Sequence, residues 1–286
     1  IVFSEFANAF SMADKGQFVT PIPIIDFLVQ IVNPRSDEKI IDPTSGIADF
    51  LSVSYINSKS KLEDKNIYGV DNDESMVMLA QLNMLLNGDG NAILKYKPDK
   101  GSITWKFDDR DNLVELDPKT HASGNWDAWK NQTKLKKFDV VLTNPPFGED
   151  RKLEPKNARE KEMVEMYELW HKARSGKWID LGLIFLENAY RVLKENGRIG
   201  IVLSNSLASI DRWEDARKWY ESHWLKVYKY LDKNFLDKFQ MGEEHYARAW
   251  EFHLAAILLE KSLQLEEKTW EIGPDFCIKT STGKKI

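Results

Sequence analysis

The sequence predicts an α/β fold: a mostly parallel, seven-stranded sheet with helices on both faces. Three observations predict it. Seven short apolar runs, rich in β-branched residues, alternate with helical periodicity along most of the chain. The 286 residues, 42% of them apolar, are enough for one large or two small domains with a buried core. No apolar run approaches the roughly 20 residues a membrane-spanning helix needs, and the apolar content is too high for intrinsic disorder.

Strands are expected at 39–42, 66–71, 92–96, 138–143, 198–204, 226–231 and 253–260, and helices at 21–32, 47–58, 74–86, 181–194 and 212–222. Thr20 followed by Pro21 is a start signal for the first helix, a hydroxyl to cap free amides and a proline where no N–H is needed. Asp73 stands where it would cap the third helix, and Glu195-Asn196-Gly197 reads as a left-handed stop for the fourth. Two stretches interrupt the alternation. Residues 97–137, with Trp105, Trp126 and Trp129, read as an insertion with a hairpin of its own. Residues 148–179 are dense in both charges and helical in pattern. A solvated helix is the usual meaning of such a run, with a lid or a phosphate contact, tested at Lys152 and Lys156, as a second reading. The expected organisation is the end of a cut helical region over 1–20, one main domain over 21–265 with insertions near 97–137 and 148–179, and a tail over 266–286.

Forty Lys and Arg against 45 Asp and Glu give a net charge of -5. That balance argues against a protein that grips nucleic acid over a wide surface by itself, since neutralising phosphates takes clustered cations. A local patch or a basic partner is compatible with it. Cys277 is the single cysteine and makes no internal disulfide, and no export leader is present, so the cytoplasm is the expected compartment.

The sharpest chemical signal is Asn144-Pro145-Pro146-Phe147, directly after the apolar run 138–143. In open α/β sheets the residues just past the carboxyl ends of strands line the ligand crevice. With proline near 5% of residues in general, a chance Asn/Asp-Pro-Pro-aromatic match in a chain this long is roughly a 1% event. The residue types suit one task, holding a planar amino group on an aromatic ring or an amide. The Asn144 side-chain oxygen and the Pro145 carbonyl both accept from an NH2 group, and two prolines offer no competing N–H. A conjugated amine is a poor nucleophile, and two fixed acceptors favour the positive charge that develops on its nitrogen in the transition state. Phe147 then offers a face for a flipped base. The structural alternative is a proline-rich loop with an aromatic plug.

Asp42-Pro43-Thr44-Ser45-Gly46, between the first strand and the second helix, would present backbone amides to a ligand, with Gly46 permitting close approach. Asp71 ends the next strand about 25 residues on, the place from which an acidic side chain holds the hydroxyls of a ribose. Asp71 and Asp73 lack a third ligand nearby, so no metal is expected.

Taken in order, Gly16-Gln17-Phe18-Val19-Thr20-Pro21, Asp42 through Leu51, Tyr68-Gly69-Val70-Asp71, Asn83 through Gly88 and Asn144 through Gly148 together resemble one family. It is the modification subunit of type I restriction-modification systems, an adenine-specific DNA methyltransferase. The likeness is strong over residues 5–150 and a matter of pattern from Phe185 to Leu203. It implies a Rossmann-like methyltransferase fold and S-adenosylmethionine as cofactor. It further implies that Phe18, Thr20 and Pro21 border the methionine end of the cofactor, that Asp42, Thr44, Ser45 and Gly46 form its loop, that Asp71 holds its ribose, and that Asn144, Pro145, Pro146 and Phe147 bind the target adenine. The partners implied are double-stranded DNA, a DNA specificity subunit, a restriction subunit and a second copy of the modification subunit. The chain departs from the family's loop pattern at Ser45, which replaces a cysteine, and at Ile47, Ala48 and Asp49, which replace Thr-Gly-Gly. Val19 stands where an aromatic is common. The rival readings are an Asn-Pro-Pro-aromatic methyltransferase acting on RNA or on protein glutamine, and a non-catalytic scaffold of the same fold. A nicotinamide-dependent dehydrogenase is disfavoured by the single glycine of the loop.

Overall fold

A computed structural model describes residues 20–58, 62–118, 135–146, 152–204 and 211–222, with the backbone of strands at 225–230, 254–261, 271–272 and 278–279. In chain order the elements are α1 (Ile22–Val32), β1 (Ile40–Asp42), α2 (Asp49–Asn57), β2 (Ile67–Asp71), α3 (Glu74–Leu86), β3 (Ile93–Tyr96), β4 (Trp105–Phe107), β5 (Leu113–Glu115), β6 (Phe138–Thr143), β7 (Lys152–Leu153), α4 (Ala158–Glu165), α5 (Glu168–Ala173), β8 (Ile179–Asp180), α6 (Leu181–Val192), β9 (Leu193–Ser204), α7 (Glu214–Ser222), β10 (Leu225–Tyr230) and β11 (Leu254–Lys261).

Seven strands form one sheet in the order β10-β11-β9-β6-β1-β2-β3. From β9 to β3 every pairing is parallel, and β11 closes the other side antiparallel to both β9 and β10. Strand residues alternate between two cores, as the period of two requires. Ile40, Val140, Leu142 and Val202 pack under α1, α2 and α3, while Ile41, Val141, Ile199, Ile201 and Leu203 face the layer built by α4 to α7. Helices therefore cover both faces, the condition under which a parallel sheet is stable.

Several local readings are corrected by packing. Thr20 does not cap α1: Pro21 is the N-cap residue, and the Thr20 hydroxyl is engaged by Asn144 instead. α6 ends at Val192 on an extended Leu193 rather than at the left-handed stop; Asn196, at φ 62, is left-handed but lies inside β9, which begins at Leu193, five residues earlier than the apolar pattern suggests. Leu193 pairs with Phe138 before the register shifts to Val140 and Arg198, so the extra residues form an irregular entry into the strand. The charged stretch is not one solvated helix. Lys152–Leu153 pairs antiparallel with Ile179–Asp180, and between them α4 and α5 bury Met163, Val164, Leu169 and Trp170. Within the other interruption, Trp105 pairs with Glu115 in an antiparallel β4–β5 hairpin. Trp126 and Trp129 lie outside the described residues. Asp73 does cap α3, accepting from Ser75 N–H at 2.9 Å.

Candidate active site

The chain order of the sheet reverses between β1 and β6, because β2 and β3 are added on one side of β1 and β9 on the far side of β6. Such a switch point opens a crevice at the carboxyl ends of the strands. Asp42 ends β1 and Thr143 ends β6, and the two meet there. The Asp42 carboxylate accepts from Thr44 N–H at 2.9 Å and from the Thr143 hydroxyl at 2.7 Å, and Thr44 Oγ1 lies 2.6 Å from Thr143 Oγ1. One carboxylate thus ties the β1–α2 loop to the strand that delivers Asn144. The backbone carbonyl of Pro43 accepts from the buried Ser102 hydroxyl, and Ser102 accepts in turn from Asn188 of α6 at 3.3 Å. The buried Lys106 ammonium group donates to the Ser102 carbonyl and to the Asn188 side chain.

Burial, opposed by the hydrogen bonds from Thr44 and Thr143, pushes the Asp42 carboxyl up to about 7. A raised carboxyl favours folding while it is protonated in both states. That contribution is lost as pH climbs from the unfolded value of 3.8 to about 7. Asp42→Asn keeps an oxygen for both donors and removes the titration. Relative to the native chain, the variant should therefore gain stability steadily from pH 4 to 7, by about 1 kcal/mol per unit, and no further above that. Urea midpoints at several pH values measure it, and parallel curves for the two proteins would refute it.

The next strand supports the same loop. Asp71 accepts from Gly46 N–H at 2.8 Å through one oxygen and from Asp73 N–H at 2.9 Å through the other, and burial raises its pKa. Ser45 N–H donates to the Val70 carbonyl at 3.0 Å. This close approach needs Gly69, where a methyl group would come within 2.7 Å of Leu94 Cδ2 and 3.0 Å of Ser45 Cβ. The turn is left-handed at Gly46 (φ 50) and again at Ala48 (φ 63), the N-cap residue of α2. A side chain in that region costs about 1 kcal/mol. Asp49 opens α2, where a carboxylate complements the helix dipole. Burial pushes it up to about 6, against a 3.4 Å hydrogen bond from Asn83, whose amide also donates to the Ile47 carbonyl at 2.8 Å.

On the opposite wall, Asn144 Nδ2 donates to Thr20 Oγ1 at 2.8 Å. That bond fixes the amide, and its oxygen is left buried with no hydrogen-bond partner among the described residues. Pro145 is buried and Pro146 exposed. The Ser45 hydroxyl, packed against Gly69 of β2, is likewise buried, with no hydrogen-bond partner among the described residues. An unpaired buried polar atom costs about 1–3 kcal/mol, so the Asn144 oxygen, at the carboxyl end of β6, marks a place that suits a polar ligand. The structure thus brings Asp42, Thr44, Ser45, Gly46, Asp71, Thr20 and Asn144 to one edge of the sheet, with Pro21 starting α1 beside them. Phe18 and Phe147 lie outside the described residues. Sequence reasoning missed Thr143, Ser102 and Lys106. Thr143 had a signal, a hydroxyl directly before Asn144 at the end of a buried strand, whereas the other two come from the insertion and had none.

A family model for N-6 DNA methylases matches residues 1–218. The chain belongs to the N-6 DNA methylase family. Among curated relatives, the chain is 26% identical over 204 residues to the type I restriction enzyme EcoEI methylase subunit of Escherichia coli, a match covering 68% of the chain and 33% of that protein. It is 24% identical over 218 residues to the type II methyltransferase M.VspI of a Vibrio species, covering 76% of the chain and 44% of the relative. The chain spans a third or less of the length of the type I methylase subunits it matches. Among solved structures, the type I restriction-modification system methyltransferase subunit from Streptococcus thermophilus superposes with a TM-score of 0.56 at 19% identity, covering 94% of this chain and 50% of that one. At that identity the likeness shows the methylase fold, with its central sheet and flanking helices. No helix among the described residues is long and apolar enough to cross a membrane.

Proposed function

We propose that this methylase domain transfers a methyl group from S-adenosylmethionine to the exocyclic amine of a flipped adenine in double-stranded DNA. We further propose that it does so as the modification subunit of a type I restriction-modification system. On this reading it works with a DNA specificity subunit, a restriction subunit and a second copy of itself. The observation that carries the chemistry is the Asn144 side-chain oxygen, buried, without a partner among the described residues and held in one orientation by Thr20. It is an acceptor waiting for a donor.

The residues present fit the cofactor. The Asp71 carboxylate, which accepts from the Gly46 and Asp73 amides and is drawn on by that of Asn72, has lone-pair sites left over for a ribose hydroxyl. When bound, S-adenosylmethionine supplies an electrophilic methyl group. Asp71 would hold the ribose while Thr44, Ser45 and Gly46 shape the loop beside it, with Phe18, Thr20 and Pro21 at the methionine end. Asn144 Oδ1 and the Pro145 carbonyl would accept the two amine protons of adenine and turn its nitrogen lone pair out of conjugation, Pro146 would keep the loop free of competing N–H groups, and Phe147 would stack on the base. No strong base is needed, since the proton becomes acidic only as the nitrogen acquires positive charge.

Calorimetric titration with S-adenosylmethionine tests this reading. Micromolar binding by the chain, weakened at least tenfold in Asp71→Ala, is the expected result, because that substitution removes a ribose ligand and unties Gly46. Ile47, Ala48 and Asp49, where the family pattern carries Thr-Gly-Gly, are the features that favour the rival scaffold reading. Absence of binding by the native chain would decide for it.

A further inference from the structure

The sheet places a second group of side chains at the carboxyl edge that carries Asn144. β7 follows the Asn144 loop, β8 enters α6, which runs back to the start of β9, and Asp211–Trp213 follows the end of β9. Lys152, Trp178 and Arg212 therefore converge on that edge from three separate parts of the chain. The Lys152 ammonium lies 4.7 Å from the centre of the Trp178 ring, and the Arg212 guanidinium lies 5.2 Å from the same ring and 4.8 Å from that of Trp213. Trp213 is buried and meets Trp178 edge to face at 6.2 Å, so the platform is anchored in the core. Lys152 and Arg212 are both exposed.

Lys152 and Arg212, like Arg174 over the Trp170 ring at 5.4 Å, are exposed cations held by an aromatic face, and they differ from it in sharing one ring. Arg159, Lys161, Lys172, Arg191 and Lys194, on the neighbouring elements, each form an ion pair with a carboxylate. Among the described residues Lys152 and Arg212 form none. An aromatic face positions a cation without neutralising it; Arg212 also draws down the pKa of the buried Asp180 carboxyl, against the larger rise that burial causes, so Lys152 is the less committed of the two. The acids nearby are Glu154 and Asp211, both exposed, and the buried Asp180, which accepts from Gly182 N–H at 2.8 Å. In a chain of net charge -5, two exposed cations share one indole.

We propose that Lys152 and Arg212, held by Trp178, contact the phosphate backbone of the DNA whose target base enters at Asn144. This rests on the methyltransferase reading above and adds to it a surface that binds the strand. Lys156, the other cation suggested by the sequence, forms no part of the cluster.

The test measures binding of the full chain to a short adenine-containing duplex by fluorescence anisotropy over a range of salt concentrations. Each phosphate contact contributes about 0.9 to the slope of log affinity against log salt. The double variant Lys152→Gln/Arg212→Gln should flatten that slope by about 2 and weaken binding at least about tenfold at low salt. A control variant, Lys161→Gln/Lys172→Gln, removes as much charge from cations already paired with acids and should change the slope little. Both native and double-variant chains are also titrated with S-adenosylmethionine, where equal affinity is expected. An unchanged slope in the double variant, an equal loss in the control, or no duplex binding by the native chain at low salt would each overturn the proposal. Failure of the native chain to bind S-adenosylmethionine would instead overturn the methyltransferase reading, while the salt slopes would still decide the fate of the patch.

Discussion

Asn144→Ala should lower the rate of adenine methylation by about 10²–10³-fold or more while leaving S-adenosylmethionine affinity within about twofold of the native value. The split follows from where the side chain is tied. The Asn144 amide bonds to Thr20 and to no residue of the β1–α2 loop, whereas that loop is held by Asp42, Asp71 and Ser102. Truncation removes the acceptor that polarises the amine and leaves the loop anchors intact. The substitution should also be well tolerated by the fold, since it deletes one side-chain bond and an acceptor that has no partner among the described residues to lose. Single-turnover methylation of a duplex by the protein assembled with its specificity subunit gives the rate, and calorimetry gives the affinity. If the variant lost cofactor binding together with activity, the Asn144 loop would be architectural, and the reading of its oxygen as a substrate acceptor would fail.

What could be read from the sequence, and what could not, divides along the range of the interactions involved. β6 was legible to the residue because a largely apolar six-residue run ending at Thr143, directly before Asn144, fits a buried strand. α3 was equally legible because its cap is local, Asp73 bonding Ser75 only two positions away. The same local logic failed for Thr20. Its hydroxyl had a nearby use as a cap and a distant one 124 residues on, and the sheet order decided for the distant one by laying β6 beside β1. The link between Asp42 and Thr143, 101 residues apart, was hidden for the same reason. In the stretch 148–179 the density of charges concealed the apolar positions, because α4 and α5 are too short for either to show a helical period. The candidate site residues lie mostly on residues adjacent to strand ends, which is why a motif reading located them. The supports under them come from an insertion and from α6, which no motif marks.

The largest effect on stability should come from α6, where Glu187 and Arg191 are both fully buried and paired four residues apart. The Glu187 carboxylate does more than pair. One oxygen accepts from Glu168 N–H at 2.8 Å and the other from Leu169 N–H at 2.7 Å, while Arg191 also donates to the Met166 carbonyl at 2.9 Å. Together they satisfy the turn between α4 and α5 and hold the segment that follows the Asn144 loop against the core. Arg191→Met preserves much of the apolar stem but leaves a carboxylate stranded without its counter-charge, which costs about 3–5 kcal/mol. Burial already raises the pKa of Glu187, against the pull of Arg191 and of the Leu169 and Glu168 amides. Without the arginine it rises further. A raised carboxyl favours folding below its unfolded value of 4.5 and loses that contribution as pH climbs through the folded value, so the destabilisation should be smallest in acid and grow toward neutrality. Urea unfolding at pH 5 and pH 8 should show the larger loss at pH 8. The double variant Glu187→Gln/Arg191→Met should recover much of it, because a neutral amide oxygen still accepts from the helix turn and no buried charge remains. An Arg191→Met loss equal at both pH values, and undiminished in the double variant, would mean that the arginine acts through packing and its bond to Met166 alone.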